Sequence, residues 1–382
     1  FPTSKKVIGL QRQIKRIEML VATSDLMPRL KLLVGFYQVC GAIQKAYNVR
    51  MPAEYDAAIG WLNWMGDLSV DLIVPSGCAG SPNERLVVAG VLPVLACVLV
   101  AAGTMARGVI RHRRRSAAQQ RSVALMAASR DGGAHAEPDR RRSGGSVQDR
   151  RSARRGAVGS RAQAFAVVKP RTWWDEALAS LGGALPYLLP FSYLCSTSVA
   201  TQAFAVFNCE AFELEFDTGE RISYLKSNPS VRCDLDDTEY LRMWRTALVL
   251  IACVSALPLA YFYLLARCRK AIKEHSPTLL SRGCRFLWVE YKEPYWWFEP
   301  LQQLRKLYLT GYVMLFNADY SNSRLLSAMM LSMTFVVMTV FVDPYKSATE
   351  SRLFALQQML LLVLFLAGLL IRLCDDAEMC ET

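Results

Sequence analysis

The sequence predicts an all-α polytopic membrane protein: a helical bundle of about seven spans interrupted by one disordered basic cytoplasmic loop. Three observations carry this. The chain is 52% hydrophobic and its mean hydropathy is positive, which is high for a soluble domain and ordinary for a multi-pass protein. Seven apolar segments approach the roughly 20 residues that a helix needs to cross hydrocarbon. The charge is also concentrated. Residues 107–171 hold sixteen Arg and one Lys against four acids, leaving 28 basic and 29 acidic residues elsewhere in a chain of net charge +12.

The chain opens at Phe1 and not at Met, so it reads as a piece of a longer protein. Residues 1–25 carry Lys5, Lys6, Arg12, Lys15 and Arg16 in an amphipathic pattern, as in a cytoplasmic surface helix rather than a secretory signal. Residues 26–106 hold the first two spans, Leu26–Tyr47 and 86–106. The first is interrupted by Arg29, Lys31 and Lys45; the second is strongly apolar. Between them, residues 52–80 place Trp61, Trp64 and Met65 beside Asp67 and Asp71, as in an interfacial helix or an outer re-entrant element.

Residues 107–171 form the Arg-rich loop. It is rich in Ser, Gly and Ala and poor in aromatics, which predicts disorder. Residues 172–382 hold the remaining spans, at 177–207, 243–266, 301–316, 325–342 and 353–373. Pro186 and Pro190 fall in the third span and Pro258 in the fourth. Trp173 and Trp174, Trp244, and Tyr295 to Trp297 mark span entries, where amphipathic rings favour the headgroup level.

Loop charge orients the spans, because basic loops stay cytoplasmic. The Arg-rich loop is then inside. Residues 208–242, with nine acids and four basic residues, are outside, and the basic residues of 268–300 are inside. Cys209 and Cys233 bound the acidic outer loop on the oxidising side, so a disulfide between them is favoured, with Cys78 as an alternative partner. The acids of that loop read as a solvated surface; concentrating cations at a pore mouth, or weak Ca²⁺ binding by Asp234 to Asp237, is the sharper alternative. Eleven Cys occur without a CxxC pair, and two of only three His lie in the basic loop. Metal-based or His-based catalysis lacks raw material, so the chain reads as no enzyme and implies no cofactor.

The run LKLLVGFYQVCGAI (30–43), the segment FNCEAF…GERISYLKSNPSVRC (207–233), EYKEPYWWFEPLQQLRKLYLTG (290–311) and Asp343-Pro344-Tyr345 form a series. It resembles the membrane region of TRP-like channel proteins of algae, oomycetes and other protists. The resemblance covers most of the chain outside the Arg-rich loop, which looks like an insert. It implies a cation-permeable channel or channel-like subunit, gated through an inner linker carrying Trp296, Trp297, Arg305 and Lys306. In that picture a basic amphipathic helix lies on the membrane and pulls on the pore spans, with Glu290, Glu293 and Glu299 pairing its charges. The plainer reading of Arg305 and Lys306 is snorkelling to inner headgroups. One departure from the family is visible: about ten residues join the last two spans, without a filter-like pore loop.

Arg111, Arg113, Arg114 and Arg115 anchor the topology and also suit anionic inner-leaflet lipids. Expected partners are the bilayer, those lipids and further copies of the chain. Nucleic acid is not expected, because no aromatics interleave the arginines. Two other classes fit the same composition. One is a non-conducting membrane anchor or receptor for an upstream Cys-rich ectodomain. The other is a lipid or small-molecule transporter, which requires a groove lined by the third span. The localisation read from sequence is a multi-pass integral membrane protein of the plasma membrane or an endomembrane.

Overall fold

The computed structural model describes residues 26–66, 80–131, 180, 182–213, 221–276, 278–316 and 321–376. The expected N-terminal helix of residues 1–25 and the loop beyond Asp131 lie outside these residues. The chain divides into two units, Phe1–Val98 with Leu185–Thr382, and Leu99–Ala184.

In the first unit, α1 (Leu26–Tyr47) and α2 (Ala53–Gly66) are followed by the start of α3 (Pro82–Asp131). Asn48 takes φ 55° immediately after α1, the left-handed geometry that Asn tolerates at a helix end. α4 (Leu185–Ala205) comes next. Pro186 lies in its first turn, where a missing N–H disturbs nothing; Pro190 lies inside it. The third span was expected from residue 177, but the continuous helix begins at Leu185.

The expected solvated outer loop is instead partly a sheet of three antiparallel strands: β1 (Cys209–Glu213), β2 (Arg221–Leu225) and β3 (Asn228–Arg232), in that order. Cys209 faces Leu225 and Glu213 faces Arg221, with an irregularity at Tyr224/Leu225. Pro229 sits on the edge strand, where its lack of an N–H leaves no ladder bond unmade. A Cys209–Cys233 disulfide closes this lobe, with Cα atoms 6.4 Å apart. Asp237 caps α5 (Thr238–Lys273) by accepting from the Glu239 N–H, and Lys270 and Lys273 end it. Acid at the start and base at the end both complement the helix dipole.

Two short helices, α6 (Leu279–Gly283) and α7 (Arg285–Trp288), lead to α8 (Phe298–Thr310). The expected fifth span, 301–316, is not one helix. It breaks at Gly311, and a 3-10 turn, Tyr312–Leu315, follows. A β-carbon on Gly311 would come 2.4 Å from the Phe204 ring, so the break and the close approach go together. α9 (Ser321–Val342) and α10 (Ala348–Asp376) form an antiparallel hairpin.

Among the described residues four helices are long and apolar enough to cross a membrane: Pro82–Ala118, Thr238–Lys273, Asn322–Val342 and Ala348–Cys374. α1 and α4 have similar length, but carry Arg29, Lys31 and Lys45, or a run of Ser, Thr and Gln. The central core joins Ile43 and Tyr47 of α1, Phe204 of α4, Leu307 of α8, and Leu361 and Phe365 of α10. A second cluster, with Leu86, Leu225, Tyr240 and Met243, seats the sheet. Phe341 (83% exposed), Leu259 and Met330 face outward instead, as apolar side chains do where lipid replaces water.

In the second unit, α3 continues without interruption to Asp131. Residues 107–131 were expected to be disordered and are helical. Ala, Arg, Gln, Leu and Met dominate this stretch and are strong helix formers. The membrane helix supplies the nucleus, so continuing it needs no new nucleation. Arg111, Arg113, Arg114 and Arg115 are all exposed on this helix.

Candidate functional site

The site is built from the inner linker outward. After α7 the chain runs beside the α9–α10 turn and pairs with it. Tyr291 and Tyr345 form an antiparallel bridge. The Lys292 N–H donates to Pro344 O and the Lys346 N–H to Glu290 O, each at 2.9 Å. Lys292 Nζ lies 2.6 Å from Asp343 Oδ2, and Lys346 Nζ donates to Val289 O at 2.9 Å. Asp343 takes φ 42°, a strained value for a non-Gly residue. Ser351 Oγ donates to its other oxygen at 2.9 Å. These two partners hold the Asp343 carboxyl below its ordinary value. The rings of Tyr291, Phe298, Tyr345 and Phe354 stack behind this pairing, at centroid distances of 5.2 to 6.0 Å.

This pairing aims Glu290 inward, and the first turn of α8 does the same for Glu299. Both meet Lys31 of α1. Lys31 Nζ contacts Glu290 Oε1, lies 2.5 Å from Glu299 Oε2, and donates to Phe286 O at 3.3 Å. Tyr291 Oη donates to the same Glu299 oxygen at 2.7 Å. The side chains of Lys31 and both glutamates are 6% and 1% exposed. Charges so deeply buried are tolerated only when paired and hydrogen-bonded. Burial raises the Glu290 carboxyl to about 7, with Lys31 pulling against that rise.

A second layer lies about two turns along α8. Lys306 Nζ donates to Gln38 Oε1 at 3.1 Å and Tyr193 O at 3.2 Å, and sits 3.5 Å from the centroid of the Tyr193 ring. Gln38 also accepts from Thr197 and donates to Leu194 O. Arg305 donates to Gln302 Oε1 and, at 2.6 Å, to Gln358 Oε1 of α10, between the rings of Phe335 and Phe354. Glu299, Gln302 and Gln357 border a small cavity of about 20 Å³, and each keeps one side-chain polar atom without a protein partner. A space of that size takes one water molecule.

This corrects the expected linker in three respects. α8 is not an exposed helix: Arg305 and Lys306 are 8% and 2% exposed, inside the bundle. Their side chains end on partners within the chain. Their charges are not paired by Glu290, Glu293 and Glu299. The first and last hold Lys31, and Glu293 meets His275 at 2.9 Å on the surface. The physical reason is that α8 is buried on nearly every side, so its polar residues must find partners within the bundle. Of the expected linker tryptophans, Trp296 packs on Phe262 under Arg269 of α5, and Trp297 lies against Tyr295 and Phe298.

Two residues of this architecture carried no functional expectation. Lys31 read only as an interruption of the first span. Arg324, 1% exposed, opens α9 and donates to Ala46 O and Met314 O at 3.1 Å, to Phe316 O, and to Asn208 Oδ1. It thereby clamps the end of α1 to the 3-10 turn. The signal for both was the same: a cation near the start of an apolar run. Cys209 and Cys233 are brought together, whereas Cys78 lies outside the described residues. Asp234 and Asp237 are used locally, accepting from the N–H groups of Asp236 and Glu239. Among the described residues no group of three or more His, Cys, Asp or Glu is arranged to hold a metal ion.

Fold and site together define a class: a mostly helical, membrane-embedded protein whose linker is tied to α1 through buried charge and to a helical hairpin through backbone pairing. No family model, curated protein or solved structure matches the chain.

Proposed function

We propose that the chain is the membrane region of a TRP-like, cation-permeable channel or channel-like subunit, gated through the linker at residues 295–311. In this reading α1, α4 and the broken α8 segment complete a seven-span topology with the four apolar helices. The sheet is then outside, and the Arg-rich segment and linker are inside. The observation that carries the reading is the double attachment of the linker. The stretch just before it pairs with the α9–α10 turn through Glu290, Lys292, Asp343 and Lys346. Its helix reaches α1, α4 and α10 through Lys31, Lys306 and Arg305. Displacement of α8 must move the hairpin or break these contacts. The resemblance of residues 290–311 to the linker of TRP-like channels adds to this.

The short turn between α9 and α10 has no room for a pore loop, and the helices it joins are apolar. They would supply a hydrophobic gate that opens by wetting. Planar-bilayer recordings of the reconstituted chain, under voltage, stretch and anionic lipid, test the proposal. Cation currents altered by Lys292→Ala with Asp343→Ala support it; silence under all three stimuli overturns it.

One observation favours a second reading, that of a lipid or small-molecule transporter. A cavity of about 590 Å³ is lined by Ser198, Thr201 and Gln202 of the third span. Movement of fluorescent lipid between leaflets in vesicles holding the protein, with no current, would favour that class.

A further inference from the structure

Two cysteine pairs lie near the two ends of α5. Cys209 and Cys233, beside its start, are joined in a disulfide. Cys268, in its last turns, and Cys284, at the junction of α6 and α7, are both free. They belong to different elements, yet the two thiols are hydrogen-bonded to each other. They are 1% and 0% exposed and share one apolar cluster with Leu265, Ile272 and Leu287. Sulfurs already in hydrogen-bonding contact need only a small approach to reach bonding distance.

The junction is held by bonds of its own. Thr278 and Ser281 cap α6 reciprocally. The Cys284 N–H donates to Leu280 O and its carbonyl accepts from the Leu287 N–H, each at 2.9 Å. Trp288 Nε1 donates to Ser281 O at 3.0 Å, closing α7 back on α6. The layer over the thiols is thin. Arg267 and Arg269, which flank Cys268, and Arg282 and Arg285, which bracket Cys284, are all exposed. Arg267 lies over the Tyr263 ring and Arg269 over that of Trp296. Residues 267–285 hold six Lys or Arg and one acid, Glu274. Cations beside a thiol favour the thiolate, which is the form that reacts.

We propose that Cys268 and Cys284 form a redox-sensitive dithiol, closed to a disulfide by hydrogen peroxide and reopened by a dithiol reductant. One thiolate attacks the peroxide: an S–O bond forms, the O–O bond breaks, and the departing hydroxide takes a proton and leaves as water. The second sulfur attacks the resulting sulfenic sulfur: the S–S bond forms, the S–O bond breaks, and a second water leaves with the second thiol proton. Two thiols are oxidised and one peroxide is reduced to two waters. Closure staples the end of α5 to a residue two positions before Phe286, whose carbonyl receives Lys31. It thereby fixes α7, the element that leads into the linker, on α5. The order of the two pairs fits a helix that crosses a membrane, with the disulfide on the oxidising side and the open dithiol on the reducing side. That order rests on the orientation proposed for the sheet and the linker. The chemistry of the pair does not depend on whether the protein conducts.

The test uses the full chain in lipid nanodiscs, titrated with hydrogen peroxide. Remaining thiols are blocked with N-ethylmaleimide in denaturant, and peptic digests are read by mass spectrometry without reduction. A cross-linked peptide holding Cys268 and Cys284, short of two hydrogen atoms and split by dithiothreitol, should appear before Cys40 or Cys195 is oxidised; these are the other described free cysteines that are buried. The closed chain should melt at a higher temperature than the reduced one. Cys284→Ala should abolish that shift and leave Cys268 as a sulfenic acid that dimedone traps. The decisive reading is made on the native chain, so it does not depend on how the variant folds. The proposal is overturned if no bridge joins Cys268 to Cys284, if either pairs instead with another cysteine, if the bridge forms no sooner than Cys40 and Cys195 oxidise, or if closure leaves the melting temperature unchanged.

Discussion

Replacing Lys31 by Met removes the cation shared by Glu290 and Glu299 while keeping much of its aliphatic volume. In the native protein the three side chains are 6% and 1% exposed. Removing one partner of a buried pair leaves uncompensated charge and costs about 3–5 kcal/mol. Here two carboxylates lose their partner at once, and only Tyr291 Oη remains as a donor to Glu299. The carboxylates have one escape, which is to take up protons. The loss should therefore be near the top of that range at pH 8 and clearly smaller at pH 5. Thermal unfolding in detergent, followed by tryptophan fluorescence at both values, measures it. Adding Glu290→Gln and Glu299→Gln to Lys31→Met should restore most of the stability. A loss below about 1 kcal/mol, the size of an exposed pair, or the same loss at both pH values, would refute the reasoning.

Glu290 alone makes a second prediction. Its carboxyl, raised to about 7 by burial, keeps a proton in the folded state where the unfolded chain, titrating near 4.5, has lost it. That contribution is fully present below the unfolded value and is lost as pH rises through about 7, so melting temperature should decline between pH 5 and pH 8; Glu290→Gln should flatten the decline. Gly311→Ala places a β-carbon 2.4 Å from the Phe204 ring and 3.1 Å from Leu307 O. It should destabilise by about 1–3 kcal/mol as overpacking does, with Phe204→Leu recovering part of the loss in the same melt. Removing the disulfide with Cys209→Ser and Cys233→Ser opens a loop of sequence separation 24. It should lower stability by about 3 kcal/mol in the chain-entropy account, and protease cleavage within residues 208–234 should report it first.

The apolar runs were legible because hydrophobic length is a local property. Among the described residues, α3, α5, α9 and α10 meet the length and apolarity needed for a membrane, and each contains a strongly apolar run. The interior of α8 was not legible. Its alternation of Gln, Arg, Lys and Leu fits a surface helix as well as a buried one, and only the elements packed around it distinguish the two. The helical continuation of α3 through Arg111 to Arg115 was hidden for a different reason. Charge and low aromatic content predict disorder on average, but a helix already nucleated in the membrane extends through Ala and Arg.

The sequence by itself determined the class, because free energy of transfer into hydrocarbon adds up along a contiguous stretch. It also placed Cys209 and Cys233 in one loop, close enough in the chain to meet. Only the tertiary structure decided that Lys31 answers Glu290 and Glu299 across 259 and 268 positions, and that Arg324 seals the end of α1. Burial turns those charges from surface decoration into obligatory partners, and burial is set by which helices pack together, not by the order of residues along any one of them.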